Sequence, residues 1–498
     1  MAAIITEKFR LHNADQFEES FTESSNNTYY LFIGKNTPYT SGTSGGSDSA
    51  PPTPVDGPSE EFFVWDDMIA AKKIATSNVQ RVVARRNWAN GTIYDMYRPD
   101  YSASVTTTSG ASNLYDSTFY FVTSDFRVYK VLDNNAGTAY SGIEPTSTAS
   151  APFSLGGYVL QFMYSLSSNQ INSFLTADFI PVTTDSTISA AATDGAIDSL
   201  IVTAGSGYSN GTYYAAVYGD GTSQGTSSGA VVRITVSSGI IQDFGLTAGI
   251  DTTVHAAGSG YTFGTVNLAS GYTFSDTALS SASGIGGSGG AITVVIGPKG
   301  GHGFDAPKEL GGHFVMMSTV LTGAEGDDIA TGNDFRKIGI VVDPHTFGTT
   351  SVASITTARM TYALKLTTQS GTFDGDEKIS QATTGAIGKV VEWDSSNSIL
   401  YYTQERFGEY GTNNTTGSYV AFSGAYVVTG AISSAVGTPD SSADSLVTLA
   451  GGNTISFTDG YANPELAADS GNLIYLENRK PISRSNDQIE DIKVIVEF

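Results

Sequence analysis

The segment "AGSGYSNGT" (Ala204–Thr212) returns as "AGSGYTFGT" (Ala257–Thr265), and this repeat leaves the chain few options. Glycine adopts the left-handed backbone of tight turns without a β-carbon clash, and a neighbouring tyrosine covers the bend. The pattern predicts short strands paired through tight turns. Two copies fall short of a solenoid, which needs about three or more to bury a continuous core. The stretch therefore reads as a compact β module. A second Gly/Ser/Thr-rich stretch contains "GTFDGDEKISQATTGAIGKVVEWDSSNSILYYTQ", whose short β runs and acidic turns predict a small barrel or sandwich. With 56 glycines and only 15% charged residues the chain could pass for disordered, but 26 Tyr and 25 Phe exclude that.

The remaining segments read as a framework around these modules. "TYYLFIGK" (Thr28–Lys35) is a buried-strand run, and the Gly/Ser/Pro-rich Ser41–Pro58 is a loop. "SEEFFVWDDMIAAKK" reads as a helix with Ser59 as N-cap, acids in the first turn and Lys72 and Lys73 in the last. Phe62, Trp65, Met68 and Ile69 would form its apolar face, read as core packing. "STFYFV" and "FRVYKVL" predict two strands joined by a short turn, and "GGYVLQFMYSL" and "FLTADFIPV" predict more strand. In "DIKVIVEF", Ile492, Val494, Val496 and Phe498 share one face of a strand tied into a sheet. The expected fold is mainly β, built of β-sandwich or small-barrel modules with a few α-helices, and multidomain. Its divisions are an N-terminal framework domain (1–190), an inserted module with the repeat (191–296), a framework return (297–348), a second inserted β module (349–468) and a C-terminal strand segment (469–498).

A net charge of −24 disfavours nucleic acid and anionic membrane surfaces as partners. The absence of cysteine excludes disulfides, thiol catalysis and cysteine-bound zinc. No signal-peptide core or membrane-spanning apolar run is apparent, so assembly in a cytoplasm is expected. Catalytic patterns fail on context. "GTSGG", "GTSQG" and "GTSSG" fit a nucleophile elbow with no helical pattern behind them, and a strand-like run follows "GIGGSG" where a dinucleotide site needs a helix. "GPKGGHGFDAPKELGGHF" (Gly297–Phe314) lacks Gly-Lys-Ser/Thr and has one copy only of a calcium-type turn. Its histidines, His302 and His313, have no metal-ligand spacing. It reads as a sharp glycine turn into a Pro-capped segment, with the histidines as ordinary polar residues. "FDGDE" and "AEGDDIATGND" read as solvated turns. No catalytic residue, metal or cofactor is expected. One basic, aromatic island, Lys72 to Arg98, suits a protein contact or internal pairing.

"ITEKFR", "YYLFIGKNTPY", the Pro-rich loop before "VWDDM", "VVARRNW", "FRVYKVLDNN", "GGYVLQFMYSL", "FIPV", "GNDFRKIGIVVDP" (Gly332–Pro344) and "GNLIYLENRKPISRSNDQIEDIKVIVEF" (Gly471–Phe498) stand in collinear order. Together they resemble the dimeric baseplate wedge subunit of T4-like contractile-tailed phages, here in a cyanophage-like form enlarged by inserted β modules. The resemblance implies a non-enzymatic virion protein of the tail baseplate, assembled in the host cytoplasm. It also implies a homodimer that joins other wedge proteins, with neither nucleic acid nor membrane as partner. Interface candidates in the matching segments are Trp65, Arg85, Arg86 and Trp88, then Glu477, Asn478, Arg479, Lys480, Pro481, Arg484, Asp487 and Gln488. For each, packing within the chain is the competing role. The alternative function is a tail-associated glycan-binding or glycan-cleaving protein, suggested by the Tyr-rich repeat and the acidic clusters.

Overall fold

The computed structural model describes residues 6–23, 27–39, 45–221, 229–243, 251–269, 279, 282, 284–322, 329–413, 415–442, 444–485 and 488–498. Most of all three elbow-like patterns, including their serines, the start of "AEGDDIATGND" and Asp487 lie outside them. The fold is mainly β and multidomain. Among the described residues the α-helices are α1 (Glu7–Glu19), α2 (Pro58–Asp67), α3 (Ser168–Phe174), α4 (Ser186–Ala191) and α5 (Ala306–Glu309). Residues 1–16, 80–316 and 495–498 form one compact unit, and residues 17–79 and 317–494 form the other.

In the first unit, strands Tyr120–Val122, Arg127–Asp133, Tyr158–Ser165 and Phe153–Leu155 make an antiparallel sheet in that order. Both its faces are buried: Val128 and Leu132 join one apolar cluster, Tyr129 and Val131 another. The repeat module has its own core, which includes Ile197, Val217, Val232, Ile234, Tyr208 and Tyr261. The two copies of the repeat complete one another. Ile197–Thr203, before the first motif, pairs with Ala291–Ile296, while Thr253–Ala256, before the second, pairs with Val231–Ser237. The strands after the motifs meet directly, with Gly219 opposite Gly264 and Val217 opposite Val266. The tyrosines act alike. Tyr208 and Tyr261 are buried, and their hydroxyls accept backbone N–H groups of Gly290 (2.9 Å) and Ala230 (3.2 Å). Gly205, Gly207, Gly258 and Gly260 supply the positive φ of the two turns.

In the second unit, Thr357–Arg359, Met68–Lys73, Tyr29–Gly34, Asp334–Val342 and Asn472–Ser483 form a five-stranded antiparallel sheet in that order. Helix α2 contributes Val64 and Trp65 to a core with Tyr30, Phe32 and Val341. A second sheet runs Ile399–Thr403, Ala386–Asp394, Lys378–Gln381, Val428–Gly430, Val436–Pro439, Tyr362–Ser370. Tyr362–Ser370 also pairs with Ile399–Thr403, which closes these strands into a small barrel around Leu364, Ile379, Val390, Leu400 and Phe422.

The helix expected over "SEEFFVWDDMIAAKK" is half helix and half strand. It starts at Pro58 with Gly57 as N-cap and ends at Asp67. Met68–Lys73 is a strand because Met68, Ile69, Ala70 and Ala71 are all buried, and four consecutive buried positions suit an interior strand covered on both faces. Helix α1 has no clear apolar stripe to announce it: only Leu11 and Ala14 are buried along it.

Candidate interface elements

The basic island spans both units, with Lys72 and Lys73 in the second and its arginines in the first, where each arginine has partners within the chain. The Arg85 guanidinium donates to the carbonyl of Thr176 (2.8 Å) and to Asn87 Oδ1 (2.9 Å). Arg86 donates to the Tyr115 carbonyl (3.0 Å) and lies 4.5 Å from the centre of the Tyr120 ring. Arg98 pairs with Asp100. Trp88 is half-buried and edge-on to Tyr140, with its indole Nε1 enclosed and lacking a hydrogen-bond partner. In the second unit, Trp65 is 5% exposed and packs within its own core.

The C-terminal candidates lie on or just beyond Asn472–Ser483, the last strand of the five-stranded sheet. It pairs with Asp334–Val342 on one side only. Glu477 accepts from the Tyr475 hydroxyl (3.0 Å) and pairs with Arg479 (3.2 Å). Arg479, Lys480 and Pro481 are exposed, as is Ile474 at 48%. Charged side chains and proline are what keeps an open strand edge from promiscuous pairing. Asn478 donates through Nδ2 to the Pro52 carbonyl (3.0 Å), leaving its Oδ1 enclosed without a partner. Arg484 is buried, donating to Glu490 (3.2 Å) and to the Ala330 carbonyl (3.2 Å). Gln488 is half-buried. The structure thus brings Glu477, Asn478, Arg479, Lys480 and Pro481 together on one edge.

Two of the patterns weighed for chemistry lie among the described residues and make structural contacts. Gly286–Ser288, inside "GIGGSG", is a strand paired with Ser206–Tyr208, and another strand follows it. In "FDGDE", Glu377 is buried and accepts from the backbone of Asp374, Ile432 and Ser433, so its carboxylate is fully engaged in holding turns. No group of three or more metal-ligating side chains occurs among the described residues.

The turn Gly297–Phe314 holds what the sequence did not announce. Asp305 caps α5, with Pro307 in its first turn, and Gly300, Gly301 and Gly303 have positive φ. Glu309 reaches back to accept from the Gly303 (3.0 Å) and Asp305 (3.1 Å) N–H groups and forms an ion pair with Lys130, which is wholly buried. His302 corrects the reading of an ordinary polar residue. It is buried, edge-on to Tyr97 at 5.0 Å and 3.5 Å from Asp198. Burial, then the Lys130 charge, push its pKa well below the usual histidine value, while burial pushes Asp198 up. Burial, then Arg10, also lower His313, to about 4. Lys130 escapes a sequence reading because every residue from Val128 to Asp133 is buried, so alternation cannot single it out.

Among the described residues, the last strand of the second unit's five-stranded sheet is paired on one side only and carries the exposed charges of the C-terminal candidates. Residues 3–151 and 446–498 match the family model described as Phage-Gp8: Bacteriophage T4, Gp8. The match supports a structural role of the T4-like baseplate wedge type. No curated protein matches the chain.

Proposed function

We propose that this chain is a non-enzymatic structural subunit of a contractile-tail baseplate wedge, a homodimer that binds other wedge proteins in the virion and assembles in the host cytoplasm. The observation that carries this reading is the collinear Gp8 match at both ends of the chain, residues 3–151 and 446–498. The interface lies on the edge strand, centred on Glu477, Asn478, Arg479, Lys480 and Pro481, and the proposal extends it along the sequence to Asp487, outside the described residues, and Gln488. Arg85, Arg86 and Trp88 contribute a second patch.

Two features support treating residues 191–296 and 349–468 as inserted modules of an enlarged, cyanophage-like subunit, although residues 446–468 of the second fall within the family match. The Gly297 N–H donates to the Ala196 carbonyl (3.1 Å), so the repeat module leaves where it began. The Ala467 N–H donates to the His345 carbonyl (2.8 Å), so the barrel segment does likewise. Chains that depart and return at adjacent residues disturb a host fold least.

The test is co-assembly. Purified chain run alone and mixed with the other wedge proteins of the same phage should elute as a dimer and then as a larger complex. A monomer that no wedge protein captures sinks the proposal.

A further inference from the structure

In the second unit, a cavity of about 420 Å³ opens beside the edge strand. Lys35 and Lys337 line it, both buried and both neutralised: Lys337 lies 3.2 Å from Asp67 and 3.3 Å from Glu60, and Lys35 lies 3.7 Å from Asp67. Glu405 and Glu409 also line the cavity. The two lysines are balanced by Asp67 and Glu60, which leaves two further acids, Glu409 and Glu405. Glu409 is exposed, whereas burial, then the Asp67 charge, push Glu405 up to about 7, so that an incoming cation would draw off its proton. The Glu405 carboxylate occupies the space that a β-carbon on Gly408 would need.

A second observation is independent of charge. Asn478 also lines the cavity, and its Oδ1 is an enclosed acceptor with no donor. Its orientation is fixed, because Nδ2 is spent on the Pro52 carbonyl at 3.0 Å. A buried acceptor without a donor is a desolvation cost that an incoming donor relieves. The remaining walls, Pro38, Val55, Phe63 and Tyr410, are apolar or aromatic.

We propose that this pocket receives an arginine side chain from a partner protein. A guanidinium carries several donors in a planar fork, enough to reach Asn478 Oδ1 and a carboxylate together. Its methylene stem suits walls of proline, valine and phenylalanine. That the partner is a tail protein rests on the baseplate reading, whereas the pocket's chemistry does not.

The test uses the full chain and two small probes, N-acetyl-arginine amide and N-acetyl-citrulline amide, which is of similar shape but neutral. Titration followed by saturation-transfer NMR should show the arginine probe binding about tenfold tighter. Glu405→Gln should abolish that preference while circular dichroism shows an unchanged fold. Glu409→Gln, at an exposed position, should reduce the preference, and it serves as the readout should the Glu405 variant fold poorly. Equal affinity for the two probes, binding of neither, or tighter binding of N-acetyl-glutamate amide each overturns the assignment. Because no wedge protein takes part, failure here leaves the baseplate reading standing, and failure of co-assembly leaves this one standing.

Discussion

Lys130 and Glu309 are charges buried where a sparsely charged chain has no need of them unless they hold something. What they hold is the turn: Glu309 ties Gly303 and Asp305 to the sheet through Lys130. Removing one partner strands the other in the interior, so Glu309→Ala should cost about 3–5 kcal/mol in urea unfolding, and adding Lys130→Met should recover most of it. A single change that cost nothing would show the pair to be incidental. Gly301 combines a φ of 95° with a β-carbon position only 2.5 Å from the Thr193 backbone nitrogen. Gly301→Val should therefore destabilise the first unit by several kcal/mol, roughly the sum of a strained φ and a backbone clash. Gly375→Ala, in open space, should fall within about 0.5 kcal/mol of the parent. His302 gives the turn a pH signature. Its folded pKa lies below its unfolded value of about 6.5, so its contribution is present above that pH and is lost as pH falls. Asp198, raised by burial, opposes this because its protonation favours the fold. The measurable quantity is therefore the difference between the parent and His302→Gln, which should shrink or reverse between pH 7 and pH 5 as the parent loses more stability. The glycines were legible in the sequence, since turn chemistry is local. The ion pair and the buried histidine were not, since both depend on partners far along the chain.

At the scale of elements, legibility followed how many faces an element buries. "DIKVIVEF" alternates, and Ile492 and Val494 are buried as its pattern requires. The run from Met68 to Ala71 has no alternation to read, and its flanking acids and lysines imitate the ends of a helix. Pairing with Tyr29–Gly34 and Thr357–Arg359 overrides that local signal. The interface candidates divided in the same way. Trp65 and Arg484 carry residue types common at interfaces but are consumed by their own core, whereas Arg479 and Lys480 remain exposed on an unpaired edge. Composition cannot distinguish the two cases; position in a sheet order can. Arg479→Glu with Lys480→Glu should leave thermal unfolding within about 0.5 kcal/mol of the parent, because both side chains are exposed. The same pair should weaken dimer formation or wedge capture, read as a shift in elution volume. Unchanged assembly would move the interface off this edge.

For the molecule as a whole, the repeat module poses the sharpest question: is it part of the scaffold or carried by it? It owns a core that includes Val217, Val232, Ile234 and Tyr261, and the strands that follow its two sequence copies pair with each other. It enters and leaves at Ala196 and Gly297, which are hydrogen-bonded to each other. Against independence, Val295 is also buried in the neighbouring cluster with Val128 and Leu310, and Asp198 lies beside His302. The balance favours a module that can be removed at a price in stability. Replacing residues 197–296 by a short Gly/Ser linker should leave a cooperative unfolding transition and retained wedge capture, since the family match at residues 3–151 and 446–498 does not include the module. The transition should come at lower denaturant, because Val295 and its neighbours lose their cover. Loss of the transition altogether would make the repeat module part of the first unit's core, and the description of it as an insertion would fail. A folded excision variant that no longer captures wedge proteins would instead place a partner contact on the module itself.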